Sequence, residues 1–96
     1  MRFVAIFDDT PDMLAIRHQR EPLHLAYLAQ HKAEILIGGG LRPEPGRPFV
    51  GGLWVLEVPD RERAVALIEN DPYYVPACRN YRLLVWGKAL EGTVVL

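Results

Sequence analysis

The sequence predicts an α+β fold with its elements in the order β-α-β-β-α-β. Three observations carry the prediction. Four short runs rich in β-branched and aromatic residues, at 3–7, 35–37, 49–58 and 81–86, are separated by turn and helix signals. Two stretches with apolar residues at helical spacing fall between the first and second runs and between the third and fourth. Finally, 96 residues suffice for one core, so residues 1–96 read as a single domain. Six elements in that order within so short a chain give a ferredoxin-like arrangement, a four-stranded antiparallel sheet with two helices.

Each element has a local reason. Residues 3–7 form a β-rich run ended by Asp8 and Asp9. Thr10-Pro11 then reads as a helix cap and first helical residue. The helical stretch runs to about Ala33, and Pro22 is expected to split it into two pieces. Ile35-Leu36-Ile37 reads as a buried strand running into Gly38-Gly39-Gly40. Three prolines and a glycine make residues 42–48 a loop. In the third strand Gly51-Gly52 predicts a bulge or a close backbone approach. Pro59-Asp60 caps the second helix, which runs from Arg61 to about Asn70. A short turn of helix is expected after Pro72, and Val94-Val95-Leu96 is a candidate extra strand.

The strands are apolar on both alternating faces: Phe3-Val4-Ala5-Ile6, Leu53-Trp54-Val55-Leu56 and Leu83-Leu84-Val85-Trp86. Two helices cover one face of such a sheet. The other face needs its own cover, and the simplest is the same face of a second copy. A homodimer with sheets packed face to face is therefore expected.

Composition excludes several classes. The formal net charge is −1 with acids and bases interspersed, which leaves no basic face for nucleic acid. The N-terminal apolar run is too short for a signal peptide or a membrane span. Cys78 is the lone cysteine, so no internal disulfide can form, and a soluble cytoplasmic protein is the expectation. Serine is absent, which excludes a serine nucleophile. Gly38 opens no nucleotide fingerprint, because no helix follows it. No metal site and no cofactor are expected: His24 and His31 share a helix face but stand about 10 Å apart along it.

The candidate chemistry lies in two segments far apart in sequence, around His24 and around Asp71. A histidine and an aspartate brought together are the smallest kit for proton transfer, the carboxylate fixing the tautomer of the ring. Periodicity leaves two orientations open for His24. Either His24, Tyr27, Leu28 and His31 face inward, or Leu25, Ala26, Ala29 and Ala33 do. Asp71 before Pro72 also reads as a helix cap, and that role coexists with catalysis if its two oxygens divide the work. Arg20 and Tyr27 are candidates for a substrate oxygen, Arg42 with Arg20 for a substrate carboxylate, and Gly39 and Gly40 for close approach of a small ligand.

Taken in order, the acids closing the first strand, Arg20/Pro22/His24-Leu25 with Leu28, the glycines after the second strand and Asp71-Pro72-Tyr73 resemble the YCII-related (YciI-like) family. The resemblance spans nearly the whole chain. It implies pairing into a dimeric α+β barrel and an active site built on a His-Asp pair, which maps onto His24 and Asp71. It departs at Gly38-Gly39-Gly40-Leu41, where the family often has Gly-Pro, and at His31, where an apolar residue is common. Relatives of the family resemble muconolactone isomerase and include a dehydrochlorinase. The implied function is cofactor-free proton chemistry on a small cyclic compound, an isomerase or lyase. The competing readings are a non-catalytic small-ligand-binding module or accessory subunit, and a cofactor-free monooxygenase.

Overall fold

Alternation along the first strand sets the layers. In β1 (Arg2–Asp9) Phe3, Ala5 and Phe7 are buried while Val4 and Ile6 between them are only partly covered. One face therefore meets the helices and the other does not. The computed structural model describes residues 1–96 and continues with α1 (Met13–Gln30), β2 (Ile35–Leu41), β3 (Gly51–Glu57), α2 (Arg61–Glu69) and β4 (Arg79–Val85). The strand order is β2-β3-β1-β4, and every neighbouring pair is antiparallel. This is the ferredoxin-like α+β fold, the protomer architecture of dimeric α+β barrels.

The core lies under the helices. Phe3, Ala5 and Phe7 pack with Trp54 and Leu56 of β3, Leu83 of β4, Ile35 of β2, and Ala64, Leu67 and Ile68 of α2. The Phe7 and Trp54 rings meet edge to face with centroids 5.2 Å apart. Gly51 is required by packing rather than by φ: a Cβ there would lie 2.0 Å from the Phe7 carbonyl oxygen. That is the close approach the sequence predicts; the register irregularity falls instead in β2, between Ile35 and Ile37. Of the predicted buried run only Ile35 is buried. Past the irregularity Ile37 pairs with Val55 on the face away from the helices, and it is exposed because β2 is an edge strand, whereas Val55 in the inner strand β3 is buried.

α2 begins as predicted, with the Arg63 amide donating to Asp60 Oδ1 at 2.9 Å. α1 does not. Thr10 and Pro11 form a turn whose carbonyls accept from the Met13 and Leu14 amides, and the helix starts at Met13 with no side-chain cap. Pro22 does not split it; α1 is one helix of 18 residues. Pro22 and His18, the residue whose carbonyl loses its partner, are both on the exposed side, so the lost bond falls where water is available. The segment after Pro72 makes turns rather than a helix, and residues 94–96 add no strand. No helix is long and apolar enough to cross a membrane.

On the uncovered face the register aligns Val4 with Val55 and Leu84, and Ile6 with Leu53 and Arg82. Leu84 is 47% exposed and Ile37 55%. Beyond β4, Trp86 donates its amide to the Arg2 carbonyl, and the chain then wraps a cavity of about 390 Å³ lined by Arg2, Trp86, Leu90, Val94 and Leu96.

Candidate active site

Helical spacing places Met13, Arg17, His24 and Tyr27 along the inner side of α1, where Met13 and His24 are buried. Of the two orientations open from sequence, the first is the one formed: Leu25, Ala26, Ala29 and Ala33 are exposed. Asp71 follows Asn70, the residue that ends α2, and Pro72 prevents the helix from continuing. Its carboxylate is thereby turned toward α1. His24 Nδ1 and Asp71 Oδ1 lie 2.7 Å apart, and both side chains are almost fully buried. A carboxylate accepts and does not donate, so Nδ1 carries a hydrogen, and in the neutral ring this tautomer leaves the lone pair on Nε2.

Asp71 caps no helix, since only turns follow Pro72, but the same atom makes the side-chain-to-backbone bond of a local turn. Oδ1 accepts from the Tyr73 amide at 3.2 Å as well as from His24. This local bond turns the chain so that the Tyr73 ring stacks on the imidazole, with centroids 3.7 Å apart and planes 5° from parallel. The Tyr73 hydroxyl donates to the Arg17 carbonyl at 3.2 Å. Burial, the largest influence, keeps that hydroxyl protonated above the ordinary tyrosine range; Arg17 pulls the other way and Asp71 adds to the rise.

Behind Tyr73 lies a charged cluster. Arg79 grips Asp9 with two bonds, Nε to Oδ1 at 2.7 Å and Nη2 to Oδ2 at 3.0 Å. Arg17 Nη2 donates to the Gly51 carbonyl at 2.7 Å and reaches Asp9 Oδ2 at 3.3 Å. The Arg17 guanidinium carbon stands 4.7 Å from the Phe49 centroid and 5.4 Å from that of Tyr73. A recess of about 230 Å³ is lined by Asp9, Thr10, Leu14 and Phe49, of which Asp9 and Phe49 also contact Arg17.

The other candidates are placed as follows. Arg20 Nη1 donates to the Pro72 carbonyl at 3.1 Å, tying α1 to the segment that carries Asp71. The Tyr27 hydroxyl donates to the Leu67 carbonyl at 2.6 Å, and burial chiefly, then the Asp71 charge, raises its pKa. Gly40 makes room for Phe49, whose ring would lie 2.6 Å from a Cβ there, while Gly39 faces open space. Arg42 stacks on the same Phe49 ring, its guanidinium carbon 5.2 Å from the centroid. His31 packs against Tyr27 rather than joining His24.

Sequence reasoning gave no role to Asp9, Arg17, Arg79 or Tyr73. For Arg17 a signal existed, since it precedes His24 by two helical turns on one face. For Arg79 none did, because its partner is set by the pairing of β4 with β1, where Asp9 lies opposite Arg79.

An imidazole held by a buried carboxylate on a ferredoxin-like sheet defines the class: a small α+β chain with a buried His–Asp pair. The chain belongs to the YCII-related domain family, whose model matches residues 1–87. Among solved structures it is similar to the 5-chloro-2-hydroxyhydroquinone dehydrochlorinase of Burkholderia phenoliruptrix, determined in complex with 2,5-dihydroxybenzoquinone. The identity is 27% and the TM-score 0.78, over 91% of this chain and 94% of that one. No curated protein matches the chain.

Proposed function

We propose that the chain is a small-molecule enzyme that moves protons without a cofactor, an isomerase or lyase of the dehydrochlorinase kind, with His24 and Asp71 as the catalytic pair. The observation that carries the reading is the buried 2.7 Å contact between them. His24 Nε2 accepts a proton from the substrate, and Asp71 stabilises the imidazolium so formed. The electron pair stays on the substrate as an enolate or phenolate. Return of the proton at another carbon completes an isomerisation; where the carbon that takes the proton bears chlorine, loss of a second hydroxyl proton then expels chloride with its bonding pair and completes an elimination. The similar dehydrochlorinase supports the second outcome and an oxygenated six-membered ring as substrate.

Arg20, Tyr27, Gly39 and Gly40 remain the candidates for substrate contact. Arg20 is exposed and has donors beyond the one on Pro72. Tyr27, whose hydrogen is given to Leu67, offers only an acceptor. The working unit in this reading is a homodimer joined through the uncovered sheet face, as Leu84 and Ile37 support. Leu84→Asp should then convert a dimer to a monomer in sedimentation; a wild-type monomer at micromolar concentration would remove the dimer from the proposal.

Chloride release from 5-chloro-2-hydroxyhydroquinone tests the chemistry. His24→Ala should lower turnover by about 10²–10⁴-fold while substrate binding persists. Turnover by His24→Ala at the wild-type rate refutes the catalytic role. A second reading, a small-ligand-binding module, has one observation in its favour: the cavity of about 390 Å³ at the C-terminal segment contains neither His24 nor Asp71. Binding without turnover by the wild type across such substrates would select it.

A further inference from the structure

The geometry points to Arg17 as the residue that binds the substrate's anionic oxygen, which makes the expected substrate a compound that ionises to a phenolate or enolate. The inference rests on the proton-transfer reading above and deepens it.

Stoichiometry comes first. Two guanidiniums, Arg17 and Arg79, share one carboxylate, Asp9, so the cluster carries one positive charge in excess. The excess belongs to Arg17. Arg79 holds Asp9 through two bonds in the planar fork geometry, whereas Arg17 meets it through Nη2 alone and at the longer distance. Arg17 also keeps donors in hand: its Nε is buried without any hydrogen-bond partner. A buried donor left in that state costs free energy until an acceptor reaches it.

Placement comes second. The Tyr73 ring has the His24 imidazole on its face and the Arg17 guanidinium beside it, and Phe49 forms a second aromatic wall against Arg17. A planar ring with an oxygen substituent suits walls of this kind.

Charge flow during the reaction comes third. Before proton transfer the negative charge sits on the Asp71–His24 pair and the substrate is neutral. Once His24 holds the proton that pair is neutral, and the negative charge has moved to the substrate oxygen. A fixed cation with few solvent contacts is then stronger for the product of the transfer than for the reactant, the condition for stabilising the charge as it develops. Arg17, 13% exposed and fastened by Gly51 and Asp9, is such a cation.

The test uses para-nitrophenol, whose anion is coloured, and its neutral ether para-nitroanisole. Wild-type protein should bind the phenol about 10- to 100-fold more tightly than the ether, and the bound phenol should show the anion's absorption at a pH where the free compound is largely protonated. Arg17→Met should abolish both the preference and the anion absorption, and Arg17→Lys should retain part of each. Equal wild-type affinity for the two compounds overturns the role of Arg17 and leaves the dyad untouched. So does an Arg17→Met protein that keeps the preference. If Arg17→Met fails to fold, the wild-type ratio and Arg17→Lys decide, an unaltered preference in Arg17→Lys counting against the role of the Arg17 guanidinium. Binding of neither compound by the wild type removes the proposed substrate class, and this inference with it.

Discussion

The two ends of β1 carry the same charge arithmetic in opposite surroundings. At its start, Glu57 receives two cations: the Met1 amino group at 2.8 Å and Arg2 at 3.2 Å. At its finish, Asp9 receives two cations, Arg79 and Arg17. Glu57 is 44% exposed; the Asp9 side chain is 1% exposed. Water screens the first arrangement, so its spare charge has little consequence and its geometry is loosely required. At the second, the spare charge persists as a local field, and every polar atom needs a placed partner. In the proposed function the proton chemistry lies at the Asp9 end, where such a field acts. Tyr73 links that field directly to His24, with Arg17 beside one part of its ring and the imidazole on its face.

The largest test of the contrast is removal of the acid at the buried end. Asp9→Ala leaves Arg79, whose side chain is 3% exposed, without its carboxylate, and deprives Arg17 of one of two anchors. Breaking a buried pair on one side typically costs about 3–5 kcal/mol, and a loss in that range is expected in denaturant unfolding. A loss similar to that of a surface substitution would mean that water reaches the cluster and that the contrast between the two ends is false.

The same contrast accounts for what the sequence revealed. Element order, the Asp60 cap, the loop over 42–48 and the doubly apolar strands were legible because each depends on local spacing or residue type. The continuous α1 was not, since the cost of Pro22 depends on which way it faces, and that is decided by the packing of Met13 and His24 on the opposite side. His24 and Asp71 were legible as a pair through the family pattern rather than through periodicity, which left two orientations for His24. The shared use of Asp71 Oδ1 was beyond reach. From sequence the cap and the ring contact called for two oxygens, but the turn to Tyr73 and the stacked imidazole approach one atom together. Arg79 was hidden for a different reason: its role depends on strand register across 70 residues.

The smallest effect belongs at the exposed end. Bonding to the N-terminal amino group, the largest cause, with Arg2 adding to it, holds the Glu57 carboxyl below its ordinary pKa. A group whose folded pKa is depressed contributes stability that is present above its unfolded pKa and is lost as pH falls through the folded value. Glu57→Gln removes that contribution, so the difference in melting temperature between wild type and variant should be small at neutral pH and vanish in acid, below the carboxylate range. Added salt should shrink the neutral-pH difference further, because both partners are solvated. A large, salt-insensitive loss in Glu57→Gln would show that the start of β1 is as dry as its finish, and the spare charge on Arg17 would then have nothing to distinguish it from the spare charge at Met1 and Arg2.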